Sequence, residues 1–383
     1  MTACAVCGSP IAEPLYRSSG GRAVTSMTVA LDQDTVVYCC DVCAHLQTPP
    51  IGDLDAYYAT AYRILLESEE EDQLYEVVDG QATFRAQHQA ETFLRLVDLG
   101  PGARVLDYGA AKGATMRRVR EARPDVAIHF YDVSDMYSPY WQKLVADDAW
   151  ATFELPAEWS ASFDVVTSFF MIEHVEHPAD VVAAQFGLLR PGGTIYAVVP
   201  NPSYNIGDFV VVDHTNHFSG SSLERLMVDA GFHDVEVDDD AHHGAWVVQG
   251  RRPEHRSAPA ARRVAVEPHL ARARELAAFW SSARDRVAQA EADVAGRRVA
   301  MYGAGFYGAF IRAGLAHPDA VEAYVDQNPH LQGTEHDGRP VVAPADLDPA
   351  ITDVLVGLNP LHARPIIEAI EAWRNRPLRF HYL

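Results

Sequence analysis

The chain of 383 residues has no apolar run long enough to span a bilayer, and its start, MTACAVCGSP, lacks a basic segment followed by an apolar one. Neither a membrane span nor a signal peptide is expected, and a cytoplasmic enzyme is the default reading. Positive charge is scarce: 31 Lys and Arg stand against 53 Asp and Glu, a formal net charge of -22. A surface that acidic repels phosphate backbones and anionic lipids, which argues against nucleic-acid and membrane partners. It leaves room for one anionic small molecule in a local basic pocket. Cysteine is absent beyond position 43, and five cysteines crowded into the first 43 residues of a cytosolic chain point to metal rather than disulfides. What remains, 48% hydrophobic and 22% charged, is the composition of a globular protein, and the length calls for two or three domains.

Cys4 and Cys7 form one C-x-x-C pair and Cys40 and Cys43 a second. Two such turns can point four thiolates at one ion, the donor set of a closed, structural zinc site. Between them AVTSMTVAL and TVVYC read as strands of a ribbon too slight to fold without its metal, and Cys39 as a bystander. The segment between the pairs holds little Lys or Arg, against a nucleic-acid-binding ribbon.

Residues 81–98 carry apolar positions at helical spacing. LGPGARVLDYGAAKGATMRRV then reads as a buried strand at Val105 and Leu106, ending at Asp107, with Gly109 to Gly113 as the loop into a helix. About twenty residues on, Ala127 to Tyr131 form a second strand, with Asp132 at its end. An acid there can accept both hydroxyls of a ribose. FDVVTSFFMIEHVEHP supplies a further strand, Val165 to Phe169, followed by Glu173, His174, Glu176 and His177. LLRPGGTIYAVVPNP supplies a turn at Pro191 to Gly193 and a strand from Thr194 to Val199.

These motifs together resemble the class I S-adenosylmethionine (SAM)-dependent methyltransferases over about half the chain. The resemblance implies a doubly wound, Rossmann-like α/β core with SAM against Asp107, Gly109, Ala111, Gly113, Asp132 and Phe170, where Ala111 occupies one glycine position. It also makes the E-H-V-E-H stretch a wall of the active site rather than a metal centre.

Further on, Asp213-His214-Thr215-Asn216-His217 gathers titratable groups in a loop facing the carboxyl edge of the sheet. A histidine there can serve as a general base, oriented by a neighbouring carboxylate. Phe218 to Phe232 read as a turn and a helix, with Ser221 or Ser222 near its cap and Gly231 at its end. RRPEHRSAPAARR (251–263) reads as a linker and residues 269–294 as one long helix. RRVAMYGAGFYGAFIRAGL and Asp326 make a second, smaller Rossmann-like unit, either nucleotide-binding or merely tightly packed at its glycines.

The expected organisation is a Cys4 module (1–50), a methyltransferase domain (51–250), a linker and long helix (251–294) and a Rossmann-like C-terminal domain (295–383), in a monomer or homodimer. That order is similar to the zinc-containing nucleotide-deoxysugar C-methyltransferases, which act on dTDP-linked 4-keto sugars in antibiotic pathways. The resemblance puts the family's active-site histidine on His174 and its Tyr-x-Glu-His motif on Val211-Val212-Asp213-His214, with valine for tyrosine and aspartate for glutamate. It implies catalysis by His214, with Asp213, His174 and Glu173 around a developing enolate, and with Tyr57, Tyr58 or Tyr62 closing over the sugar. O- or N-methylation of a polar metabolite, an added ketoreductase activity using the GAGFYG loop, and a SAM-binding protein without turnover are the alternatives.

Overall fold

The computed structural model describes residues 2–52, 72–78, 81–255 and 264–383. Tyr57, Tyr58 and Tyr62, and most of the expected linker, lie outside them.

The core is a seven-stranded sheet. Its strands are β1 (Arg104–Tyr108), β2 (Ala127–Asp132), β3 (Trp150–Thr152), β4 (Phe163–Phe169), β5 (Leu189–Pro200), β6 (His233–Asp238) and β7 (Ala245–Arg251), in the order β3-β2-β1-β4-β5-β7-β6. β1 to β5 run parallel, and β7 is antiparallel to both of its neighbours. Along β5, Ile195, Ala197 and Val199 join one hydrophobic cluster, while Tyr196 and Val198 join another on the opposite face. Val105 and Leu106 of β1 divide in the same way. A strand buried on both faces reads as a continuous apolar run, which is why these segments stand out in the sequence. Helices Arg85–Leu96 and Ala114–Ala122 contribute to one cluster, Pro178–Leu188 and Gly220–Asp229 to the other.

Several boundaries differ from expectation. The strand expected at Thr194–Val199 begins at Leu189, and Pro191–Gly193 is a bulge between the pairings Phe163–Leu189 and Val165–Thr194. The cap of helix Gly220–Asp229 is Ser219: its Oγ accepts from the Ser222 N–H at 3.1 Å, and Ser222 Oγ accepts from the Ser219 N–H at 2.9 Å. The long helix is two, Glu267–Ser281 and Ala283–Asp293. At the break the Ser282 hydroxyl donates to Phe279 O at 3.1 Å, a local bond that competes with helix continuation.

The C-terminal unit repeats the core on a smaller scale. Val299–Tyr302 lies at the centre of a six-stranded sheet, with Val321–Val325 on one side and Asp353–Val356 on the other, all parallel. The N-terminal module is not separate from the core. Its strands Pro14–Arg17, Val36–Cys39 and Leu46–Gln47 continue into one sheet with Asn216–His217 of the histidine loop. No helix among the described residues is long and apolar enough to cross a membrane.

Candidate active site

The strand order reverses on either side of β1, so the loops after β1 and β4 part above the sheet and open a crevice. Gly109 (φ +76°) begins the first loop, and a Cβ there would collide with Met171 Cγ, so only glycine fits. Ala111 takes a left-handed φ of +44°, aiming its N–H at Asp132 Oδ2, 2.9 Å away. Trp141 Nε1 donates to Ala111 O at 2.8 Å and pins the same residue from its other side. Burial raises the Asp132 carboxyl, against the bonds from loop amides that lower it.

Gly109, Ala111, Asp132 and Phe170 line a cavity of about 2680 Å³. Asp107 and Gly113 lie behind its wall. Asp107 turns inward to accept from Thr167 Oγ1 at 2.9 Å, and burial raises its carboxyl to about 7. Gly113 caps the next helix against the ring of Phe130, where a Cβ would come within 2.8 Å. Sequence reasoning passed over Val133 and Phe153. Both line the cavity at the ends of β2 and β3, and both leave large apolar side chains 49% and 57% exposed beside Asp132.

Across the crevice the His loop and the turn after β4 converge. His214 Nδ1 lies 2.6 Å from Asp208 Oδ1, and His217 Nδ1 lies 3.2 Å from Asp208 Oδ2. Burial alone would lower His214, but the Asp208 bond and the charges of Asp208, Asp213 and Glu173 raise it to about 9. Asp208 is pushed up by burial and held well below the usual carboxylate range by the two histidines. The acid adjacent in sequence, Asp213, points elsewhere. It accepts from the Ser26 N–H at 2.6 Å and the Ser26 hydroxyl at 2.7 Å, tying down the N-terminal module. The carboxylate hydrogen-bonded to the imidazole is therefore Asp208, six residues upstream inside an apolar run, where no periodicity flags it.

Glu173 is buried; among the described residues neither carboxyl oxygen has a hydrogen-bond partner, Oε1 lies 3.9 Å from His174 Nε2, and burial raises the group to about 8. The His174 ring meets that of His214 edge to face, 4.6 Å between centroids. Burial and the neighbouring His214 hold His174 well below its ordinary value, and a bond to the Asp213 backbone opposes this. Asn216 joins three parts of the molecule. Its Nδ2 donates to Val175 O at 2.6 Å, its Oδ1 lies 3.0 Å from His45 Nε2, and its backbone pairs with Gln47.

In the N-terminal module the Sγ atoms of Cys4, Cys7, Cys40 and Cys43 all lie within 4.8 Å of one another, with Cys4–Cys43 at 3.6 Å and Cys7–Cys40 at 3.5 Å. A disulfide needs about 2.05 Å. Thiolates about 2.3 Å from one tetrahedral zinc sit about 3.8 Å apart, so the donor set fits that ion. Ser221 Oγ donates to Cys43 O at 2.9 Å, so the second cysteine turn rests on the helix after the His loop.

Residues 82–237 match the model of a methyltransferase domain. A ubiquinone biosynthesis O-methyltransferase of Burkholderia pseudomallei (strain 1710b) is 29% identical over 164 residues, covering 39% of this chain and 68% of that protein. One from Burkholderia thailandensis is 35% identical over 103 residues, 27% of this chain and 42% of that protein. Among solved structures, a chain of the complex between the Haloferax volcanii Trm112 methyltransferase activator and a methyltransferase covers 45% of this chain and 92% of its own, with 20% identity and a TM-score of 0.39.

The protein is thus an enzyme with a methyltransferase domain at the centre of its chain. More particularly, it is a SAM-dependent methyltransferase.

Proposed function

We propose that this enzyme methylates a carbon beside the ketone of a dTDP-linked 4-keto deoxysugar, with His214 as the base. The observation that supports the reading best is the Asp208–His214 pair, which opens beside the buried Glu173 onto the same cavity as the Gly109 loop. Bound SAM supplies a methyl group on a positively charged sulfur. Asp132 accepts the ribose hydroxyls, Val133 and Phe153 flank the adenine, and Gly109 lets backbone approach the methionine. Asp107 and Gly113 hold the loop from behind.

His214 keeps its Nδ1–H on Asp208, which fixes the tautomer and leaves Nε2 to remove the proton from the substrate carbon. Glu173, its carboxyl raised by burial, faces the same cavity and stands beside the base where charge builds on the ketone oxygen. His174 stays neutral and packs against the base. Asp213 holds the loop through Ser26. Such a base contributes roughly 10²–10⁴-fold in rate.

Binding pockets for one small molecule run to about 300–1,000 Å³. The larger cavity here continues to Gly305 and Asp326 of the C-terminal unit, where the nucleotide end of the acceptor is proposed to lie. The four cysteines hold a structural zinc. Incubating the enzyme with methyl-labelled SAM and a panel of dTDP-4-keto and dTDP-amino sugars tests the reading: a labelled methyl on a keto sugar, located on carbon by NMR, is the expected result. Label on no member overturns the acceptor.

The names of the Burkholderia relatives, O-methyltransferases, favour a second reading in which His214 deprotonates a hydroxyl. Val211 in the position of a family tyrosine agrees with it. Solvent deuterium at the acceptor carbon separates the two, because only the enolate route exchanges that proton.

A further inference from the structure

The N-terminal module reaches the His loop through one tight turn. Val24 pairs in parallel with Val211, and the Val212 N–H donates to Val24 O at 3.2 Å. Ser26 then holds Asp213 through both its N–H and its hydroxyl. The two segments keep one register, 187 positions apart, and in that register Met27 falls beside His214.

The turn is fixed in that place. Thr25 accepts twice, through its carbonyl from the Thr28 N–H at 3.0 Å and through Oγ1 from the Val29 N–H at 3.1 Å. Its own N–H donates to Val29 O at 3.0 Å. Thr28 turns the chain at φ +64°, a left-handed conformation that a β-branched residue rarely adopts. Such strain persists only where the surroundings impose it, and it gathers at ligand-facing segments. The same segment is fastened to the C-terminal unit: Val24 packs with Ala309 and Ala313, and Arg22 Nη1 donates to Ala313 O at 3.0 Å.

Ser26, Met27 and Thr28 all line the cavity that His214 also lines. Among the described residues Met27 is half-buried, yet it joins none of the hydrophobic clusters. A half-buried thioether at a cavity wall offers apolar surface to whatever enters, and its unbranched chain adapts to the shape it meets. Asp208, Glu173 and His174 give His214 its polar neighbours, and Met27 adds an apolar one.

We propose that Met27 is an acceptor contact supplied by the N-terminal module, covering an apolar face beside the carbon that His214 deprotonates. It thereby favours acceptors that carry hydrogen rather than hydroxyl on the neighbouring carbon. This rests on the reading of His214 as the base.

Acceptor kcat/KM and calorimetric SAM affinity, measured on the full chain, compare wild type with Met27→Ser and Met27→Leu. The acceptors are two dTDP-4-keto sugars that differ only by hydrogen or hydroxyl next to the methylated carbon. Wild type is expected to favour the deoxygenated sugar by about 10- to 100-fold, the range an apolar pocket reaches against an added hydroxyl. Met27→Ser is expected to cut that preference about tenfold, and Met27→Leu to keep it within about threefold, since leucine preserves the apolar volume. SAM affinity is expected to stay unchanged in both variants, which also reports an intact fold.

A wild type that treats the two sugars alike overturns the proposal. So does a Met27→Ser enzyme with an unchanged preference or with both acceptors lowered equally. A weakened SAM affinity also overturns it, by placing Met27 at the cofactor. If wild type methylates neither sugar, the keto-sugar reading fails instead, and the variants are compared on the compound that does take the label. There a kcat/KM lowered in Met27→Ser and kept in Met27→Leu upholds the contact, and no change in Met27→Ser removes it.

Discussion

The two Rossmann-like units share one local device. In the core the Gly109 N–H donates to Tyr131 O at 2.8 Å and the Ala111 N–H to Asp132 at 2.9 Å. In the C-terminal unit the Gly303 N–H donates to Val325 O at 2.8 Å and the Ala304 N–H to Asp326 at 3.0 Å. They differ in what the glycines face. A Cβ on Gly109 would meet a side chain, Met171, at the edge of the cavity. On Gly303 or Gly308 it would run into backbone oxygen, and on Gly357 into backbone Cα at 2.6 Å. The C-terminal glycines let strand, helix and loop press together, and only Gly305 of that loop has open space before it. The core glycine therefore borders the cavity against a side chain, while the C-terminal glycines pack backbone on backbone. The hydrogen-bonded histidine and carboxylate that line the cavity, His214 and Asp208, belong to the core unit.

The largest effect that would break this contrast is at His214. His214→Ala is expected to abolish turnover, at least about 10²-fold, with calorimetric SAM affinity intact; ordinary activity in that variant would remove the base from the core site. Asp208→Asn should follow, lowering kcat and moving the rising limb of the pH–rate profile down from about 9, because the bond that raises His214 is weakened. The stability sign agrees. His214 is raised above its unfolded value, so the pair's contribution is complete below about 6.5 and is lost as pH climbs through about 9. Chemical denaturation at pH 6.5 and 9 should show that decline in wild type and a flatter line in Asp208→Asn.

A paired test sharpens the contrast directly. Asp132→Ala should weaken SAM about tenfold or more, while Asp326→Ala leaves SAM binding alone and raises the acceptor KM. A loss of SAM affinity from Asp326→Ala would mean the units are not divided as described. The smallest effect is at the non-glycine member of the core loop: Ala111→Gly relieves a left-handed alanine and should raise stability by no more than about 1 kcal/mol, read as a small rise in Tm.

Much of this was readable in one dimension where the physics is local or periodic. β1, β2 and β4 declared themselves as apolar runs because both of their faces are buried, and Asp132 because it ends a strand. The cysteine pairs were readable from spacing alone, since a C-x-x-C turn brings its own two sulfurs together. His214 could be picked out by residue type and by its place after the core strands.

Other features depend on how the chain folds back on itself. Asp208 lies in the apolar run IGDFVVVDH, and its partners become visible only when the loop folds back, while the adjacent Asp213 turns away to Ser26. Asn216 and His45, 171 residues apart, meet because the N-terminal module and the His loop share a sheet. The sequence by itself determined the core strands, the two glycine loops and the chemistry on offer, since these follow from burial patterns and residue type. Which carboxylate bonds to His214, and which ties the loop to the N-terminal module, only the tertiary structure decided, because hydrogen bonds and charges act through distance in space rather than separation along the chain.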